Sequence, residues 1–90
     1  MAMLHLNLKG EYFHEVKSGT KPKEYRLCTP YWDKRLEGRT YDGIVLKNGY
    51  PKAGDSSRTL ERPWRGFAKR NITHEHFGPN PVAVFAIRVN

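Results

Sequence analysis

One cysteine, Cys28, is the entire thiol content of the chain, so no intrachain disulfide can staple it. A disulfide-free chain of this size fits a reducing compartment better than a secreted setting. Long hydrophobic runs are missing too, and no window approaches the ~20 apolar residues of a membrane span. The N-terminus carries no basic segment followed by an apolar run, as a secretory leader would. Together these absences predict a cytoplasmic protein with no membrane association. Repeats, low-complexity tracts and linkers are also lacking, so the sequence is expected to form a single domain over residues 1–90. A core of that size is small but sufficient, and no metal or cofactor has to be assumed.

Negative charge is scarce. Sixteen Lys and Arg stand against nine Asp and Glu, a net charge of +7. Such an excess serves solubility in small domains, and it also raises affinity and encounter rate for a polyanion. The second role is favoured because aromatics are interleaved with the basic residues, at Tyr25-Arg26, Tyr31-Trp32, Trp64-Arg65, Phe67 and Lys69-Arg70. Base stacking beside phosphate contacts needs that mixture.

Leu4, Leu6 and Leu8 alternate with His5, Asn7 and Lys9, which predicts a half-buried strand ended by Gly10. Glu11 to Ser18 reads as two helical turns with Gly19 at the C-terminal cap. A second strand follows from Lys23 to Cys28, then a helix with Thr29 as N-cap, Pro30 at its first position and Gly38 as its stop. Tyr41 to Lys47 is a buried strand, and Asn48 to Ser57 an exposed loop. Arg58 to Ile72 is extended but broken near Trp64 to Phe67, where Pro63 and Gly66 interrupt it. His74 to Asn80 reads as a loop, and Val82 to Val89, apolar on both faces, as a central strand. Five or six strands with two short helices near the N-terminus predict an α+β, small barrel-like domain.

The stretch Gly19 to Arg26 concentrates the chemistry. In a regular strand Lys21, Lys23 and Tyr25 would share one face, and Glu24 and Arg26 the other. As a solvated i, i+2 ion pair, Glu24 and Arg26 would contribute under about 1 kcal/mol. As a site, Lys21 and Arg26 would surround an anionic or carbonyl-bearing ligand, with Glu24 orienting them. Pro22 eases the geometry, because a residue before proline need not continue the strand's alternation. Were the site catalytic, Glu24 would be the general base and Lys21 the electrophile or phosphate clamp.

The order strand, short helix, G-x-K-x-x-E-x-R, short helix and strands resembles the ASCH family, with Gly19, Lys21, Glu24 and Arg26 as the motif. The resemblance covers nearly the whole chain. It implies a PUA-like β-barrel whose motif residues line a cleft for RNA or a nucleotide-like ligand. Some members resemble ribonucleases, and one branch removes the acetyl group from acetylcytidine. That branch pairs the motif lysine with a threonine three residues later, where this chain has Glu24. The deacetylase mechanism therefore does not transfer intact.

Other candidates surround the motif. His74-Glu75-His76 has two histidines at i, i+2 but no clear third ligand, so no metal site is predicted. Either His74 or His76 could instead contact phosphate or act as an acid beside Lys21 and Glu24. Trp32, four residues from Leu36, reads as packing, and Tyr25 likewise. Trp64 and Arg65 sit in an irregular basic stretch and join Lys21, Lys23, Glu24 and Arg26 as candidate ligand contacts. The expected function is an RNA- or modified-nucleoside-binding module. A ribonuclease or small amidohydrolase on the same cleft is the alternative, and a protein-interaction module with an acidic partner the third.

Overall fold

The computed structural model describes residues 2–52, 55–75 and 78–90. In chain order the elements are β1 (Met3–Leu8), α1 (Gly10–Ser18), β2 (Lys23–Leu27), α2 (Pro30–Leu36), β3 (Gly43–Asn48), a 3-10 turn (Ser56–Arg58), β4 (Thr59–Pro63), β5 (Phe67–His74) and β6 (Gly78–Arg88). The strands form two three-stranded sheets, ordered β1-β3-β4 and β2-β6-β5.

The expected barrel is not formed, because both sheets are open. The cause lies in the pairing of β1. It runs parallel to β3, with Met3 opposite Gly43 and Leu8 opposite Asn48. A parallel pair needs a long crossover, and here that crossover contains α1, β2 and α2. β2 is therefore carried away from β1 and pairs antiparallel with β6 in the other sheet. The helices are inserted into this crossover between strands rather than grouped at the front of the domain.

Local signals account for the helix ends. Gly19 takes φ +86°, and its N–H donates to Val16 O, closing α1 in a left-handed cap. At α2 the Thr29 hydroxyl accepts from Trp32 N–H at 3.4 Å, ahead of Pro30. The break between β4 and β5 falls at residues 64–66, after Pro63, and Gly66 there takes φ +81°. Within the predicted loop from His74 to Asn80, His74 instead ends β5 and residues 78–80 begin β6, with His74 opposite Gly78 in the ladder.

The core lies between the sheets and under α1. Leu4, Leu6 and Leu8 meet Phe13 and Val16 of α1, Ile44 and Leu46 of β3, and Phe85, Ile87 and Val89 at the chain's end. Each such side chain contributes roughly 1.5–3 kcal/mol on full burial. Tyr41, Trp64 and Phe67 pack against this core on the side where β4 turns into β5.

Candidate functional site

β2 is an edge strand, and its free edge is where the site is built. Val89 N–H donates to Pro22 O and Cys28 N–H to Ala83 O, so the even-numbered residues of this segment bond to β6. The odd-numbered residues turn their polar backbone groups outward. At Tyr25 those groups are met by side chains. Tyr25 N–H donates to Glu24 Oε1 at 3.1 Å, and Arg26 Nη1 donates to Tyr25 O at 2.9 Å.

Arg26 also spans the gap between the sheets. Its Nη2 donates to Asn7 O of β1 at 2.9 Å, while Nη1 lies 3.2 Å from Glu24 Oε1. Leu8 O accepts from Gly49 N–H, which turns the backbone of Asn7 toward the open edge of β1. Arg26 thus joins two strands that share no backbone ladder. Its guanidinium also lies 5.5 Å from the Trp32 ring.

Glu24 is the one buried charged side chain among the described residues, at 5% exposure. Arg26 and the Tyr25 amide occupy its Oε1, but its buried Oε2 has no hydrogen-bond partner there. A buried acceptor left unpaired is costly unless something else satisfies it.

Beside this carboxylate lies a cavity of about 610 Å³. Asn7, Leu8 and Lys9 line it from β1, Tyr12 from α1, and Lys21 from the turn. Glu24, Tyr25, Arg26 and Leu27 line it from β2, Thr29, Tyr31 and Trp32 from α2, and Ile72 and His74 from β5. The volume lies within the usual range for small-ligand pockets.

Lys21 reaches the cavity because it precedes β2. Its N–H donates to Glu15 O, and its carbonyl accepts from Asn90 Nδ2, which also donates to Val16 O. The turn is thereby folded onto the end of α1. From there Lys21 Nζ sits 4.9 Å from the Tyr12 ring and 5.5 Å from the Tyr25 ring. Burial pushes the Tyr12 phenol above its ordinary 10, and the Glu11 and Glu24 carboxylates add to the effect. It is a neutral hydroxyl at physiological pH.

Of the residues singled out from sequence, Lys21, Glu24, Arg26 and His74 line this one cavity. Lys23, Trp64 and Arg65 do not. Lys23 lies opposite Arg88 in the β2–β6 ladder, and Arg65 is exposed at the β4–β5 break. Trp64 is packed edge-on to Tyr41 at 5.1 Å and tilted to Phe67 at 6.4 Å. His76 lies outside the described residues.

Tyr12, Lys9 and Tyr31 are lining residues that sequence reasoning did not select. Tyr12 shares the apolar side of α1 with Phe13 and Val16 by spacing, which gives no sign that its hydroxyl meets a cavity. Trp32 packs against the core and also lines the cavity, whereas Tyr25 lines the cavity and is not among the side chains packed on the core.

Among the described residues, no group of three or more His, Cys, Asp or Glu side chains could hold a metal ion. No described helix is long and apolar enough to cross a membrane. Comparison with protein-family models, curated proteins and solved structures gives no match.

Proposed function

We propose that the chain is a small ASCH-like module that binds RNA or a modified nucleoside in the Lys21–Glu24–Arg26 cavity. One observation carries this reading: a buried carboxylate oxygen without a partner, Glu24 Oε2, stands beside an aromatic-walled cavity with a lysine on its wall. A nucleobase offers what such a site lacks. Its π-face stacks on aromatic walls, its N–H edge donates to a carboxylate, and its phosphate meets a cation. Arg26 is already held by Glu24, Tyr25 and Asn7, so it positions Glu24, and Lys21 and Lys9 are the lining lysines that can meet phosphate. The protein acts in the cytoplasm, where Cys28 stays a thiol.

Titration of the full chain with the four nucleoside 5′-monophosphates and short single-stranded RNAs tests this. At low salt, binding is expected to weaken about tenfold or more in Lys21→Ala, the loss of one charged hydrogen bond. Absence of a signal with every one of these probes would remove the reading.

Hydrolysis on the same cavity is the second reading, favoured by His74 on the wall with Lys21 and Glu24. Glu24 would take a proton from the attacking hydroxyl or water, and Lys21 would stabilise the developing anion. His74 would give a proton to the oxygen or nitrogen that leaves as its bond to phosphorus or carbonyl carbon breaks. Time-dependent RNA cleavage or deacylation that Glu24→Gln abolishes would establish it. Binding without turnover would leave the module reading alone.

A further inference from the structure

Resting on the binding reading above, we infer that Tyr31 and Arg35 form a second stacking position at the mouth of the cavity, so that the ligand is a single strand rather than a free nucleoside. Tyr31 lines the cavity yet keeps 56% of its surface exposed, and Leu27, another lining residue, keeps 38%. Two large side chains left this open on the wall of one cavity offer a surface that a stacked base would cover. The Arg35 guanidinium lies 3.7 Å from the centre of the Tyr31 ring, one helical turn away. Tyr31 meets Trp32 edge-on at 5.2 Å, and the Arg26 guanidinium faces Trp32. Two adjoining rings flanked by two cations therefore run from the surface to the Glu24 carboxylate: Arg35, Tyr31, Trp32, Arg26.

The outer end of this series is held in place. The Tyr41 hydroxyl donates to Arg35 O, and Arg39 Nε donates to Lys34 O at 2.6 Å, fixing the last turn of α2. The Tyr31 ring, met by Arg35 over its face and by Trp32 edge-on, loses little freedom when covered. A base seated inside would leave its 3′ or 5′ neighbour at the mouth, over Tyr31, with its phosphate toward Arg35. The chain's charge of +7 suits a polyanionic strand.

The test compares, on the full chain, the tightest-binding nucleoside monophosphate with the single-stranded tetranucleotide of the same base. The tetranucleotide is expected to bind about tenfold tighter, the gain from one additional stacked base. Arg35→Ala and Tyr31→Ala should reduce that gain, and Tyr31→Phe should preserve it. Arg35 does not line the cavity, so Arg35→Ala should leave monophosphate affinity unchanged. A gain from phosphates alone would fall steeply between 50 and 200 mM salt, whereas a stacking gain persists.

Equal affinity for monophosphate and tetranucleotide overturns the second position while leaving the binding reading intact. A gain that vanishes with salt, or survives Tyr31→Ala, overturns it too. Competition by poly-glutamate as effective as by the tetranucleotide would do the same, assigning the mouth to an acidic protein. Failure of every probe to bind overturns both readings.

Discussion

The two sheets meet along two seams, and the seams are built differently. On the side where β4 turns into β5, aromatic rings fill the space, with Trp64 between Tyr41 and Phe67, and Phe67 edge-on to Phe85 at 5.2 Å. On the side where β1 faces β2, the closure is a single arginine beside a buried carboxylate, and a cavity remains. Both seams have basic and aromatic residues in sequence, so composition alone does not distinguish them. What differs is whether the polar groups are satisfied internally. The aromatic seam leaves no buried side-chain acceptor unpaired among the described residues, whereas the open seam leaves Glu24 Oε2.

Removing the clasp should have the largest effect on stability. Arg26→Ala strips Glu24 of its ion pair and leaves the Tyr25 and Asn7 carbonyls without their side-chain donor. Breaking a buried pair from one side typically costs about 3–5 kcal/mol. Arg26 retains 19% exposure, so a loss near the lower end, about 3 kcal/mol, is expected in urea unfolding. A loss below about 1 kcal/mol would mean that the open seam does not depend on its arginine.

Trp64→Ala probes the other seam. Truncating a core tryptophan costs about 3–5 kcal/mol, and Trp64 is half-buried, so about 2 kcal/mol is expected. Ligand affinity of the folded protein should stay within twofold. A large loss of affinity at unchanged stability would return Trp64 to the ligand contacts.

Much of this contrast was legible in the sequence, though not which seam would be open. Alternating leucines marked β1, Thr29-Pro30 marked the start of α2, and Gly19 marked the end of α1. Pro63 and Gly66 located the break between β4 and β5. The barrel failed because alternation reveals a strand but not its partner, and the parallel pairing of β1 with β3 leaves β2 at an edge. Lys21 joined Glu24 and Arg26 because it lies in the turn before the strand, as Pro22 allowed. Tyr12 and Tyr31 were not legible as lining residues, since helical spacing cannot show a helix face turned toward a gap between sheets. Trp64-Arg65 lies away from the cavity for the converse reason: a basic, irregular stretch can pack its tryptophan against the core.

A double substitution can convert one seam into the likeness of the other. Glu24→Leu combined with Arg26→Met removes both charges and supplies apolar volume. Replacing a buried ion pair by well-packed apolar side chains is often neutral or stabilising. The variant still leaves the Tyr25 N–H and the Tyr25 and Asn7 carbonyls without side-chain partners. A loss of about 1–2 kcal/mol is therefore expected, smaller than in Arg26→Ala, with ligand binding abolished. If the double variant unfolds like Arg26→Ala alone, the pair is structural in its own right and the contrast between the seams collapses.

The smallest effect belongs to Tyr12, and it appears only in alkali. Burial and the Glu11 and Glu24 carboxylates hold its phenol above 10, so the folded state favours the protonated form. Below pH 10 folded and unfolded chains both keep this proton, and Tyr12 adds no pH dependence to stability. As pH climbs past 10, the unfolded chain releases the proton first, and stability should fall until the folded phenol also ionises. In ultraviolet titration, the tyrosinate signal lost in Tyr12→Phe should be one that develops above pH 10. A signal developing at or below pH 10 would show that water reaches Tyr12 freely. The wall beneath Lys21 would then be as wet as an ordinary surface, and the carboxylate beside it would no longer mark the open seam as the place where a ligand is needed.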